Sequence, residues 1–198
     1  TIVGFGGAFT ESAAYTLSRL PDEVRRSAIA DCFDPVRGLG YTMGRFPVHS
    51  CDFSLESYTY VEDGDDGLGT FSLEREERWR LPLIRDAETA RGGPVALMAS
   101  PWSPPGWMKD NCRMIRGGSL LPEYRASWAA YLARFLSEMR SRGFTMWGLS
   151  AQNEPAAVQT WESCVYTAEE ERDFVRDYLG PTLHREGLGD VRLFIWDH

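Results

Sequence analysis

The 198 residues contain no C-x-x-C pair, no stripe of basic side chains, and no apolar run of the roughly 18 residues needed to cross a bilayer. The missing apolar run excludes a helical membrane span and predicts a soluble globular protein. The missing dithiol excludes a zinc ribbon or redox motif. Cys32, Cys51, Cys112 and Cys164 stand far apart, and their pairing state stays open. Basic residues number 21 against 29 acidic ones, a net charge of -8, which argues against nucleic acid or anionic membrane as a partner. The three histidines lack metal-ligand spacing, so no metal is expected. The first residue is Thr1 and no basic, then apolar, leader follows it, so any targeting segment is expected to be absent or already removed.

Apolar runs and amphipathic segments alternate along the chain. Strands are expected at Ile2 to Phe9, Gly40 to Val48, Pro94 to Ser100, Phe144 to Ser150 and Val191 to Trp196. Helices are expected from Pro21 to Phe33, from Ser72 to about Arg91 with a break before Pro82, and from Pro122 to Arg142. In the last of these, Tyr124, Trp128, Tyr131, Leu132, Phe135, Leu136 and Met139 share one face. Gly92, Gly93 and Gly143 supply the stops, and Thr167 with Glu170 forms a capping box that opens a further helix.

Strand and helix in alternation predict an α/β architecture with a parallel sheet, either doubly wound or a (β/α)8 TIM barrel. The doubly wound alternative needs G-x-G-x-x-G after the first strand, and Gly4-Phe5-Gly6-Gly7-Ala8-Phe9 has Phe in the third glycine's place, so no dinucleotide cofactor is expected. A barrel gathers functional side chains at the C-terminal ends of several strands. Glu11, Arg45 with His49 and Asp52, Trp102, Asn153 with Glu154, and Asp197 with His198 all fall there. Strand starts recur about every 47 residues, so eight units need roughly 380 residues. The chain is therefore expected to supply the first five strands and four helical crossovers of one catalytic domain, with strands six to eight and any side β-domain absent.

Four segments in register carry a resemblance: GFGGAFTE from Gly4 to Glu11, GYTMGRFPVHSCDFSLESYTY from Gly40 to Tyr60, ASPWSPPGWMKDN from Ala99 to Asn111, and AQNEP from Ala151 to Pro155. GGSL from Gly117 to Leu120 and LGPTL from Leu179 to Leu183 add to it. The chain resembles glycoside hydrolase family 30, the glucosylceramidase family, from Ile2 to about Leu193.

The resemblance implies a retaining β-glycosidase whose general acid/base is Glu154, with Asn153 beside it to bond the sugar 2-OH. Pro155 should hold Glu154 extended. Asp52 and Trp102 match positions that line the glycone pocket, and Arg45 matches an arginine beneath the catalytic carboxylates. Trp107 and Trp161 are further candidates near the pocket mouth. His49 and His198 lie near the same face and are read as structural.

Retaining chemistry needs a second carboxylate about 5–5.5 Å from the first. The family places this nucleophile on strand seven, outside this chain, and Glu11, Asp52 and Asp197 are the only substitutes at strand ends. The expected substrate is a β-glucoside, a glucosylated lipid or an oligosaccharide. A β-1,6-glucan or β-xyloside remains open, as does a non-catalytic carbohydrate- or partner-binding half-barrel. The remaining C-terminal half or another chain would complete the barrel. Family analogy suggests a secreted or lysosome-like setting. The acidic loop from Glu62 to Asp66 reads first as a solvated loop; the alternative is that in a barrel it would stand on the site face and screen against acidic sugars, and glucuronoxylan is not an expected substrate.

Overall fold

Five parallel strands lie side by side in chain order in the computed structural model, which describes residues 2–198. They are β1 (Gly6–Ala8), β2 (Met43–Val48), β3 (Ala96–Pro101), β4 (Thr145–Ser150) and β5 (Arg192–Phe194). Helices fill every crossover: α1 (Glu11–Ser18) and α2 (Asp22–Phe33), then α3 (Arg80–Arg91), then α4 (Arg125–Ser141). The last crossover holds α5 (Ala168–Phe174) and α6 (Gly180–Arg185), joined by a π-helical turn over Val175–Leu179. Pro181 has no N–H to offer residue 177, so the regular ladder cannot run through this junction.

Local chemistry accounts for most boundaries. Trp128, Tyr131, Leu132, Phe135, Leu136 and Met139 of α4 are all buried, as their spacing predicts, and Tyr124 is half-buried just before the helix. Phe135 stacks on Phe46 of β2 with ring centroids 5.7 Å apart, which seats α4 on the sheet. Thr167 and Glu170 make the reciprocal capping box at the start of α5. The expected break before Pro82 falls at Trp79, so Pro82 occupies the first turn of α3, where a missing N–H costs no intrahelical bond. Gly92 ends α3 in the left-handed region at φ 74°.

Three expectations need correction. The first strand is shorter than Ile2 to Phe9 and is exposed, not buried. It pairs only with β2 among the described residues, and a Cβ on Gly6 would stand 1.8 Å from the Met43 carbonyl oxygen, so glycine sets how closely the two backbones approach. Second, α1 was not foreseen. Thr10 caps it by accepting the Ala13 N–H at 3.2 Å, and this turns Glu11 from a strand-end residue into the first residue of a helix.

Third, the acidic loop folds back on itself. Asp65 accepts from the backbone N–H groups of Gly69 and Thr70 and from the Thr70 hydroxyl, and these bonds hold its carboxyl below the usual carboxylate range. Gly67 and Leu68 then line a shallow groove with Ala130 and Arg134 on the outer helix α4. The loop thus packs along the outer helix α4 rather than on the site face. No helix among the described residues is long and apolar enough to cross a membrane. Cys32, Cys51, Cys112 and Cys164 are all unpaired, and burial pushes the Cys164 thiol up to about 12.

Candidate active site

Arg45 projects from β2 and gathers the ends of three neighbouring strands. Its Nε donates to Ser100 Oγ of β3 at 3.0 Å, and one terminal nitrogen donates to Asn153 Oδ1 and to Asp197 Oδ2, each at 2.7 Å. Ser100 Oγ adds a 3.3 Å bond to the same Asp197 oxygen, and the guanidinium lies 4.7 Å from the Trp102 ring centroid. A fixed cation therefore sits below the loops that follow β3, β4 and β5.

The segment after β4 is sutured on both sides. Asn153 N–H donates to the Pro101 carbonyl at 2.8 Å, and Glu154 N–H donates to the Asp197 carbonyl at 2.8 Å. Gln152 is fully buried and donates to the Trp102 and Asn153 carbonyls, both at 2.8 Å. Glu154 is half-buried, and its carboxylate bonds to no side chain among the described residues. Its backbone stands at φ 47°, in the left-handed region, not in the extended form that Pro155 was expected to impose. The two flanking sutures hold this conformation against its steric cost.

Asp52 lies in the loop after β2 and is exposed. Partial desolvation, followed by the charges of Glu154 and Glu162, holds its carboxyl above the ordinary range, so these acids are near neighbours. Trp102 is largely buried beside Arg45, Asn153 is buried with its oxygen on Arg45, and Asp197 belongs to the same cluster. The structure thus brings Arg45, Asp52, Trp102, Asn153 and Glu154 together.

Glu11 stands apart from them. It is buried, accepts the Leu55 N–H at 2.8 Å and pairs with Arg75 at 2.8 Å, so it fixes the loop after β2. His49 is also structural. Its ring spans the Tyr131 hydroxyl at 2.9 Å and the Ser103 carbonyl at 2.6 Å, and burial drives its pKa down to about 3. Trp107 packs edge-on against Tyr124 and leaves its indole nitrogen buried without a partner, whereas Trp161 is partly exposed.

Several supporting residues gave no motif signal in the sequence. Glu171 of α5 is buried and accepts the Trp196 N–H at 3.1 and 3.2 Å, one residue before Asp197; burial and the Asp197 charge raise its carboxyl. Lys109 is buried without a carboxylate partner among the described residues. It donates to the carbonyls of Gly117 at 2.5 Å, Ser163 at 2.6 Å and Met114 at 3.3 Å, knitting the loop after β3 to the loop after β4, and burial lowers its pKa. The rule that barrel sites gather at strand ends flags Asp197 in the sequence and could have flagged Ser100 as well.

Residues 2–198 match the model of the glycosyl hydrolase family 30 TIM-barrel domain. The chain belongs to glycosyl hydrolase family 30. It is 40% identical to putative glucosylceramidase 3 of Caenorhabditis elegans over 96% of this chain and 38% of that protein. It is 34% identical to the lysosomal acid glucosylceramidase of Mus musculus over 99% of this chain and 40% of that one. Two solved structures superpose with a TM-score of 0.92 and cover all of this chain. SrfJ from Salmonella typhimurium is 41% identical with 44% of its chain covered, and the endo-β1,6-glucanase BT3312 is 28% identical with 45% covered. The family 30 chain thus spans about two fifths of the length of the curated relatives it matches, and its five strands and four crossovers form part of a TIM barrel.

Proposed function

We propose that this chain is the acid/base portion of a retaining β-glycosidase of the glucosylceramidase type, acting on a terminal β-glucosyl unit. The observation that carries the proposal is the cluster beneath Glu154. Arg45 ties Asn153 to Asp197 at 2.7 Å each, next to a Glu154 whose carboxylate hydrogen-bonds to no side chain among the described residues.

The chemistry follows from these groups. In the first step Glu154 gives its proton to the glycosidic oxygen as the bond to the anomeric carbon breaks and a carboxylate attacks from the opposite face. In the second, Glu154 takes a proton from water, which attacks the same carbon and releases the sugar. Asn153 has its oxygen anchored on Arg45, so its amide nitrogen is left to donate to the sugar 2-OH. Asp52 accepts glycone hydroxyls and Trp102 offers an apolar edge to the ring. The nucleophile is assigned outside these 198 residues, to the strand on which the family carries it, with Glu11 committed to Arg75, Asp52 given to the glycone hydroxyls and Asp197 to the Arg45 cluster that holds Asn153.

The relationship to BT3312 supports a second reading within the same chemistry, an endo-β-1,6-glucanase. The relationship to the lysosomal mouse enzyme supports a secreted or lysosome-like setting. The test is hydrolysis of aryl β-glucoside, aryl β-xyloside and β-1,6-glucan by the 198-residue chain and by a chain extended beyond His198, each with Glu154→Gln beside it. The expected result is glucoside hydrolysis by the extended chain alone, abolished in Glu154→Gln. Activity in the 198-residue chain would overturn the missing nucleophile, and silence from both would favour a carbohydrate-binding role.

A further inference from the structure

A buried polar network sits behind the end of β2 and, among the described residues, shares no side-chain hydrogen bond or ion pair with the cluster around Arg45. At its centre Glu76 and Arg80 form an ion pair, both about 1% exposed. Arg80 has further donors to spend. One terminal nitrogen bonds the Pro47 carbonyl at 2.7 Å; the other bonds the His49 carbonyl at 3.3 Å and the Tyr58 hydroxyl at 2.6 Å. Glu76 in turn accepts the hydroxyls of Tyr58 at 2.6 Å and Tyr60 at 2.9 Å.

The outer bonds all converge on the two ends of one loop. Tyr60 Oη accepts the His49 N–H at 2.8 Å, and Tyr131 Oη of α4 accepts the Tyr60 N–H at 2.8 Å. Because His49 Nε2 faces a carbonyl, it carries the ring proton, and Nδ1 accepts from Tyr131. Ser50 and Tyr58 close the base of the loop, with Tyr58 N–H on Ser50 Oγ at 3.1 Å and Ser50 Oγ on the Tyr58 carbonyl at 3.0 Å. The network thus grips residues 47–50 on one side and 58–60 on the other. Asp52 lies between these grips, two residues beyond Ser50.

An ion pair this deep is weak evidence for stability, because desolvation offsets its attraction, and an apolar pair of equal volume often serves as well. What an apolar pair cannot supply is a fork of donors aimed at carbonyls in two directions. His49 needs that fork, since its φ of 49° turns the chain sharply out of the strand.

We infer that Arg80 and Glu76 are positioning residues for sugar recognition: through the carbonyls of Pro47 and His49 and the hydroxyls of Tyr58 and Tyr60, they set where Asp52 stands opposite Glu154. This inference rests on the proposed glycosidase reading. It adds that α3 reaches the substrate through the loop after β2.

The test is a double-mutant cycle on kcat/KM for an aryl β-glucoside, in the chain extended beyond His198. Arg80→Lys and Tyr58→Phe are each made alone and in an Asp52→Ala background, and Arg140→Ala, which removes a remote surface pair with Asp190, is the control. Each network variant should lower kcat/KM about 10- to 100-fold, mostly through KM, as a displaced binding group does. In the Asp52→Ala background the same changes should cost less than about threefold, because their route to substrate is already gone. Equal losses in both backgrounds would overturn the positioning role. Tyr58→Phe decides the matter if Arg80→Lys does not fold. Unchanged activity in Glu154→Gln, or no hydrolysis by the parent chain, would sink the glycosidase reading itself and the positioning role with it.

Discussion

Arg45→Leu tests the cluster beneath the proposed acid/base most directly. The substitution keeps bulk at the position and removes the donors to Ser100, Asn153 and Asp197, as well as the cation beside Trp102. A hydrogen bond to a charged group contributes about 1.5–3 kcal/mol. The Arg45 and Asp197 side chains are 32% and 22% exposed, so solvent screening puts these bonds at the low end of that range. The indole contact adds about 0.5–1 kcal/mol. The expected loss is about 3 kcal/mol, which for a chain of this size lowers Tm by roughly 6–12 °C.

Much of that loss comes from leaving Asp197 charged with only Ser100 beside it. Adding Asp197→Asn should therefore recover about 1–2 kcal/mol of the Arg45→Leu loss, although Asp197→Asn alone destabilises. Urea unfolding of the four proteins measures both quantities. A loss below about 1 kcal/mol, or two substitutions whose effects simply add, would refute the reasoning, because the cluster would then be a solvated contact. In the extended chain, Arg45→Leu should also lower kcat/KM about 100-fold, since Asn153 loses the bond that orients its amide.

Other expectations come from strain and charge. Glu154→Gly should raise stability by about 1 kcal/mol by relieving a non-glycine residue at φ 47°, while abolishing hydrolysis; a destabilised variant would show that the carboxylate makes bonds of its own. The Asp52 carboxyl is held above its ordinary value, so the folded state binds its proton more tightly than the unfolded state does, and stability falls as pH rises through that raised range. Asp52→Asn should accordingly raise Tm at pH 7, with the gain vanishing near pH 3, and a constant gain would contradict this origin. His49 runs the other way: with a folded pKa of about 3, its contribution is complete above about pH 6.5 and is lost as pH falls toward 3. The full loss is on the order of a few kcal/mol, and His49→Gln should flatten the acid limb of the stability curve measured by urea unfolding.

The parts of this fold that were legible in the sequence are those set by periodic burial. The α4 stripe, the cores of β2, β3 and β4 and the stops at Gly92 and Gly143 each follow from a local rule that the tertiary structure did not override. Glu11 shows the limit. A carboxylate after a short strand reads as a site residue, and only the fold reveals that Thr10 starts a helix there and that Arg75, 64 residues on, takes the charge. Glu154 shows another. The preference of a residue before proline for extended backbone is worth less than two flanking backbone bonds, from Asn153 to Pro101 and from Glu154 to Asp197, and neither could be seen without the neighbouring strands. Asn153 and Glu154 were legible because they follow the end of β4, where barrel geometry makes convergence the default, whereas Arg45 lies within β2 and was legible only through the family resemblance. Lys109, Glu171 and Arg80 were not, since a buried charge in a helix or loop leaves no periodic trace.

Two of these hidden charges, Arg80 and Glu171, share a task. Three residues just past strand ends have left-handed backbones without being glycine: His49 after β2, Glu154 after β4 and Trp196 after β5. Each is fixed by a bond to its own N–H. Tyr60 Oη takes that of His49, the Asp197 carbonyl takes that of Glu154, and Glu171 takes that of Trp196. Two of these acceptors come from outside the sheet: Tyr60 is braced by Glu76 and Tyr131, and Glu171 projects from α5. The sheet fixes where each strand ends, but helices and buried side chains determine how the chain leaves it. Changes in α3 and α5 should therefore reach Asp52 and Asp197 without touching substrate, whereas equal changes on the outer surface of α4 should not.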